Sequence, residues 1–414
     1  MNEHKSVPNI RFNGFEDEWE EKKFGSLFNH NSGTSIEKYF NSDGKYKVIS
    51  IGSYGKNSKY IDQGIRVDLN SVTKSHLVDK NDLTMVLNDK TSDGQIIGRV
   101  LLINKSNEYV INQRTERLIP RNINSKFAFI YLNGPIRKSI KKIVQGGTQI
   151  YVNYSSIEKI NAIVPKTMEE QRKIGDFFSK LDKLLDLQQQ KIDKLELLKK
   201  ALLQKLFPKH DKKIPELRFK EFKNEWEKEK LKGYIEKVSG NDGRMNLPTL
   251  TISAAKGWMN QNERFSNNIA GKEQKNYTLL KKGELSYNHG NSKLFKYGVV
   301  YELINYDEAL VPKVYHSFRV NSKASARFIE YLFRGKKVDR ELRKLVTSGA
   351  RMDGLLNINF NNFENIQLYF PEKAEQQKIG NLLSKVDQLI ELENKKLQNF
   401  QQVKKCLLQN MFVE

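Results

Sequence analysis

The most evident chemistry in this sequence lies in polar stretches where basic, aromatic, glycine and amide residues alternate. Residues 52–60 carry Tyr54, Lys56 and Lys59; residues 112–117 carry Asn112, Gln113, Arg114 and Arg117; residues 138–151 include Gln149. Further along, 255–264 holds Lys256, Trp258 and Arg264, 287–293 holds Asn288, His289 and Lys293, and 334–351 ends on Arg351. Lysine and arginine neutralise phosphates, and Arg, Asn and Gln can form paired bonds to base edges in the major groove. Glycine lets a loop approach a backbone closely. These residues are the candidate contacts to nucleic acid. For any single lysine or arginine the alternative is a solvated surface charge, and for Trp258 it is a place in the core.

The overall charge points the same way. Lys and Arg number 71 against 49 Asp and Glu, a formal net charge of +22. Such an excess calls for a polyanionic partner, nucleic acid first and a membrane surface second. No apolar run reaches membrane-spanning length and no signal-peptide pattern opens the sequence. The single cysteine, Cys406, allows no disulfide within the chain and no thiolate metal cluster. The composition reads as a reduced, soluble, cytoplasmic protein.

Catalytic signatures are missing together. The prolines are isolated, so the Asn/Asp-Pro-Pro-aromatic motif of adenine-N6 methyltransferases cannot occur. No phosphate-binding G-x-x-x-x-G-K-[ST] loop, H-E-x-x-H pair or G-x-S-x-G elbow is present. The six histidines lack metal-ligand spacing. Acidic pairs such as Asp182 and Asp186 read as solvated helix faces. The expectation is a chain without catalysis, metal or cofactor of its own.

The elements that position the polar stretches come in two copies. Val7-Pro8-Asn9-Ile10-Arg11-Phe12, running on to Trp19, returns as Ile214-Pro215-Glu216-Leu217-Arg218-Phe219, running on to Trp226, at an offset of 207. Glu170-Gln171-Arg172-Lys173-Ile174-Gly175 returns as Glu375-Gln376-Gln377-Lys378-Ile379-Gly380, at an offset of 205. A repeat this long is a duplicated domain. Between the shared segments the two copies differ almost completely.

Each copy ends in a long helical pattern. Ile174, Phe178, Leu181, Leu185, Ile192, Leu195, Leu202 and Leu206 alternate steps of four and three, and Ile379, Leu383, Val386, Ile390, Leu397, Phe400, Leu407 and Met411 repeat the register. The polar seam positions are Gln188 and Lys199 in the first, Glu393 and Lys404 in the second. Each seam implies about 50 Å of helix. Two apolar stripes in one chain most simply bury each other, and an antiparallel pair places two globular units at opposite ends; the alternative is that each helix packs on its own domain.

Elsewhere the chain reads as β-rich. Strands are expected at 46–51, 83–87, 98–103 and 109–111, then at 249–252, 299–303 and 315–320, with single helices over 125–142 and 324–346. The fold class is α+β: two tandem, mixed α/β, β-rich domains over 1–168 and 208–373, with long helices over 169–207 and 374–414 forming an antiparallel coiled coil in a pseudo-twofold repeat.

With these features the chain resembles the specificity subunits of type I restriction–modification systems. The residues that carry the resemblance are the motifs through Trp19 and Trp226, together with Pro165…Glu170-Gln171-Arg172-Lys173-Ile174 and Pro371…Glu375-Gln376-Gln377-Lys378-Ile379. The proline-to-glutamine spacing is six residues in one copy and five in the other. The resemblance implies two target-recognition domains, each reading one half of a split, asymmetric duplex DNA target, with the helices setting the gap. It implies two methyltransferase subunits and two restriction/translocase subunits as partners, which bring S-adenosylmethionine, ATP and magnesium. Gln171, Ile174, Leu181, Gln376, Ile379 and Val386 are then the expected spacer and partner-helix residues. Two other readings remain: an autonomous enzyme, which needs a catalytic constellation, and a coiled-coil scaffold that binds nucleic acid without sequence preference, which leaves the unlike inserts unexplained.

Overall fold

In each copy the tryptophan motif leads into a short strand that pairs antiparallel with the strand preceding the long helix. The computed structural model describes residues 6–209, 212–265, 271–290, 292–346 and 356–413. In the first copy strand Glu20–Lys23 pairs with Asn161–Val164; in the second, Glu227–Lys230 pairs with Gln367–Phe370. These clasps close each domain between its start and its helix. The contacts divide the chain into two compact units, 1–189 with 396–414, and 190–395.

The first unit is built on a four-stranded antiparallel sheet in the order Phe28–Ser32, Thr115–Pro120, Leu83–Val86, Val100–Leu102. Every residue of Leu83–Val86 is buried, as befits an inner strand. A three-stranded sheet joins Arg66–Val67, Tyr46–Ile49 and Tyr109–Ile111, the last two in parallel. A second one joins Gln145–Gly146, Ile150–Tyr151 and Asn88–Asp89. In the second unit a four-stranded sheet runs Ile235–Lys237, His316–Val320, Leu285–Asn288, Val299–Glu302, in the same relative order. Beside it lie two strand pairs, Leu250–Ser253 with Gly257–Asn260 and Thr278–Lys281 with Glu308–Val311. The two copies thus keep one central sheet under sequences that differ almost completely, and they diverge in the smaller sheets.

The helix expected over 125–142 is two helices, Ser125–Asn133 and Pro135–Lys142. Proline at 135 removes a backbone donor and disfavours helical geometry in the residue before it, and Gly134 takes φ −108°, ψ −107°. The helix expected over 324–346 likewise breaks at Gly335 into Ala326–Arg334 and Asp339–Leu345, with Lys336 in the left-handed region at φ +59°.

The long helices span Met168–Lys205 and Lys373–Asn410. Thr167 caps the first, its hydroxyl accepting from the Glu170 N–H. In the second unit the two helical segments run antiparallel: Lys191 bonds Glu393 at 2.9 Å and Lys199 bonds Asp387 at 2.5 Å, so one number rises as the other falls. In the first unit Lys404 pairs with Asp182. That pair is the repeat equivalent of Lys199–Asp387, so three of the polar seam positions, Lys199, Glu393 and Lys404, bind across the helices.

Each core joins the start of one copy to the end of a long helix. In the first unit Trp19, Phe127 and Phe412 meet, with ring centroids 5.8–6.3 Å apart. In the second, Trp226, Phe328 and Phe207 meet at 5.5–6.2 Å. The offset between Phe207 and Phe412 is again 205. The shared glycine of the helix motif has a packing reason. A Cβ on Gly175 would lie 2.6 Å from the Phe127 nitrogen, and one on Gly380 would lie 3.0 Å from the Arg327 side chain and 3.1 Å from the Phe328 nitrogen.

Candidate nucleic-acid interface

The first domain's polar loops separate into exposed tips and anchored bases. In 52–60 a tight turn forms, with the Gly55 N–H bonding the Lys59 carbonyl and the Ser58 N–H bonding that of Gly55. Lys56 and Lys59 stand exposed on it, and Lys59 pairs with Asp186 of the first long helix. Arg114 is exposed at the connection between Tyr109–Ile111 and Thr115–Pro120. Its φ of +66° is a left-handed conformation that an arginine adopts only at a steric cost. Gln149 is exposed on the hairpin that ends in Ile150–Tyr151.

Other candidates of this domain serve the fold. Tyr54 is 3 % exposed, packed with Ile49, Val86 and Ile111, and burial pushes its phenol pKa far up. Asn112 is buried and its side-chain oxygen accepts from the Ile36 N–H. Both were expected as contacts; the structure corrects this, because an aromatic ring and an amide that find partners inside the domain no longer face solvent. Arg117 bonds Asp82, Asp79 and the Leu77 carbonyl, and Gln113 donates to Glu37 at 2.9 Å. Sequence reasoning passed over Arg137. Its guanidinium donates to the carbonyls of Gly94, Gln95 and Ile97, and burial, with Arg99 nearby, lowers its pKa to about 10.

In the second domain Lys256 is exposed at the tip of the Leu250–Ser253/Gly257–Asn260 hairpin, where Gly257 takes φ +74°. Trp258 donates to the Glu302 carbonyl at 3.1 Å and packs partly buried on a core. Asn288 bonds the Ile252 carbonyl, tying the hairpin to the central sheet. His289 is a correction of the same kind as Tyr54. It is 6 % exposed, its ring nitrogens lie 2.7 and 2.8 Å from the carbonyls of Leu356 and Val314, and it stacks on His316. Burial lowers the His316 pKa to about 4. Lys293 is exposed. Arg351 and the side chain of Arg264 lie outside the described residues. The exposed candidates are therefore Lys56, Lys59, Arg114 and Gln149 on three loops of one domain, and Lys256 and Lys293 on two loops of the other.

The helix residues point inward. Gln171 and Gln376 are buried and make equivalent bonds: each donates to a carbonyl before the helix, Pro165 or Pro371, and accepts from a backbone N–H, that of Asn124 or Ser325. Ile174, Ile379 and Val386 are buried and Leu181 is partly buried, all packed on the domain cores. Gln171 and Gln376 were expected on the spacer and partner helices; a buried amide with both ends bonded fixes the helix to its own domain. Beside them lies a pair missed in the sequence, although the repeat marked it. Arg11 clasps Glu170 with two bonds of 2.7 and 2.8 Å, and Arg218 clasps Glu375 with two of 2.8 and 2.7 Å. Among the described residues no group of three His, Cys, Asp or Glu side chains could hold a metal ion, and no helix is long and apolar enough to cross a membrane.

The geometry is thus a duplicated frame with unlike basic loops, and sequence comparison finds the same duplication. The family described as the type I restriction modification DNA specificity domain matches twice, over 16–197 and 223–402. The chain belongs to this family. Among its relatives is the type I restriction enzyme MjaVIII specificity subunit of Methanocaldococcus jannaschii, 22% identical, with 95% of this chain and 91% of the relative covered. Among solved structures, the type I restriction–modification S subunit from M. genitalium aligns over 99% of both chains, with TM-score 0.63 at 15% identity. A chain from work on assembly and conformational transition of a type I system aligns over 95% of this chain and 97% of its own length, with TM-score 0.50 at 12% identity. At such identities these structures bear on the fold, which they share with this chain from end to end.

Proposed function

We propose that this chain is the DNA-specificity subunit of a type I restriction–modification complex. Residues 1–168 and 208–373 each read one half of a bipartite duplex target, and the helices over 169–207 and 374–414 set the gap between the halves. The observation that carries the reading is the repeated central sheet with unlike smaller sheets and loops: one frame presents two different readers. Lys56, Lys59, Arg114 and Gln149 contact one half-site; Lys256 and Lys293 contact the other, as do Arg264 and Arg351. The chain itself is not the catalyst. Two methyltransferase subunits supply adenine methylation with S-adenosylmethionine, which requires the base to leave the stack, and two restriction subunits supply ATP-driven cleavage with magnesium. The place of action is the cytoplasm.

The docking surface for a twofold partner is also repeated. Leu184, Leu187 and Val403 of the first unit are 43%, 53% and 50% exposed; their equivalents Leu389, Leu392 and Leu198 of the second are 46%, 48% and 47% exposed. Each pair differs by 205 in number. Exposed apolar side chains set out twice at the same positions suit a partner present in two copies. The test is methylome sequencing of a host carrying this chain and its methyltransferase, followed by exchange of residues 25–150 for another family member's. A bipartite motif of which one half changes is expected. A change in both halves would sink the modular reading.

A further inference from the structure

The second unit carries a cationic cleft that joins the start of the 334–351 stretch to the end of the first long helix. It encloses about 870 Å³ between the end of the first long helix, the Gly335 break and strand Gln367–Phe370. Nine lysines and arginines line it; Lys199, Lys209, Arg334 and Lys344 are ion-paired with Asp387, Glu216, Glu330 and Glu341, and the charge of Lys200, Lys228, Lys336 and Lys337 makes the cleft an anion site. Lys200, Lys209, Lys228, Lys336 and Lys344 are exposed around it. Lys337 is half-buried and burial lowers its pKa, a cost that a bound anion would offset. Lys336 holds φ +59° at a position where glycine would be less strained.

The counterpart in the first unit identifies the anion. Tyr131, Ile163 and Val413 occupy the places of Leu332, Tyr369 and Pro208, around a cavity of about 150 Å³ with Lys138 and Lys142 as its cations. The frame is shared but the charge is not: Lys228 stands where the first copy has Glu21. A partner present in two copies would need the same surface twice. A single asymmetric ligand would not, and duplex DNA is that ligand.

We infer that this cleft grips the phosphate backbone of DNA beside the half-site read by the second domain, adding affinity on one side without adding base preference. The inference rests on the DNA-recognition reading and extends it. Lysines suit the role, since they meet phosphates as point charges and need no fixed base-edge geometry.

The test uses the full chain assembled with its methyltransferase, as wild type and as the triple variant Lys200→Gln, Lys228→Gln, Lys336→Gln. Binding to a duplex bearing the methylated motif and to a random duplex is measured across a salt series. The slope of log affinity against log salt should become shallower by about 2–3. Both duplexes should weaken by the same factor, and arginine at the three positions should restore the slope. An unchanged slope in a variant that melts like the wild type overturns the inference. So does lost subunit assembly with unchanged DNA affinity, which would assign the cleft to an acidic protein segment. The slope decides the cleft; preference of the wild type for its motif separately decides the recognition reading.

Discussion

The two units fasten their domains to their helices in the same way and build their readers differently. Both use a strand clasp, a buried glutamine, an aromatic trio and an arginine–glutamate fork. Both keep a four-stranded sheet in the same order. Away from these, the first unit has a parallel strand pair, Tyr46–Ile49 with Tyr109–Ile111, where the second has the antiparallel pairs Leu250–Ser253 with Gly257–Asn260 and Thr278–Lys281 with Glu308–Val311. A few buried contacts therefore suffice to hold the frame, and sequence between them is free to change as long as it supplies the central sheet. One detail of the frame differs. Trp19 donates its indole N–H to Glu170 at 3.3 Å, whereas the Trp226 N–H has no partner among the described residues.

That detail gives the largest expected effect. Removing one member of a buried ion pair strands the other charge, at a cost of about 3–5 kcal/mol. Arg11→Ala leaves Glu170 its bond from Trp19; Arg218→Ala leaves Glu375 without an indole bond. Arg218→Ala should therefore lower the urea midpoint further than Arg11→Ala, followed by tryptophan fluorescence. Equal losses would show that the indole bond contributes nothing and that the two frames are energetically alike.

A second difference lies in buried acids. Burial, against the pull of Arg327 and with Glu330 nearby, lifts the Glu302 pKa to about 7, and burial also raises Glu330. The strand position equivalent to Glu302 in the first unit is Leu102. A carboxyl whose folded pKa is raised contributes stability below its unfolded value of about 4.5, and that contribution is lost as pH climbs through 7. The second unit should lose up to about 3 kcal/mol between pH 4.5 and 8 from this group. Glu302→Gln should flatten the dependence in urea titrations at several pH values. A profile as steep as that of the wild type would exclude Glu302 as its source.

The frame was largely legible in the sequence because it is written twice. Trp19 and Trp226, the seam, and the glycines at 175 and 380 recur at fixed offsets, and a heptad period needs no tertiary knowledge to read. The clasps were missed: Glu20–Lys23 and Glu227–Lys230 are four-residue charged strands with no apolar alternation. The breaks at Gly134–Pro135 and Gly335 lay inside patterns that were apolar enough to read as single helices. Among the candidate contacts the structure exposes some and buries others. Lys56, Arg114 and Lys256 are exposed because an unpaired cation is costly to bury. Tyr54, Asn112 and His289 have residue types that serve a core as well as a surface, and only their partners, Ile36 or the carbonyls of Val314 and Leu356, decide which.

The smallest effect expected concerns the repeated interhelical pair. Lys404–Asp182 and Lys199–Asp387 are equivalent and their side chains are 21–31% exposed, so each contributes at most about 1 kcal/mol. Their surroundings differ. Asp387 also accepts from Tyr331 and Arg334. Burial opposes its charged form, but Arg334 and Lys199 outweigh this and hold its pKa below the usual range. Asp182 has Lys404 as its one ion-pair partner among the described residues. Lys199→Met should thus leave Asp387 satisfied and the helix register fixed, while Lys404→Met frees Asp182 and loosens the register of the first unit. Polar seam residues set register more than they add stability. The distinguishing measurement is spacer length by methylome sequencing: Lys404→Met should broaden the permitted gap between half-sites and Lys199→Met should not. Identical spacer distributions for both variants would mean that the buried seam alone holds the ruler, and that the extra partners of Asp387 serve only the second domain.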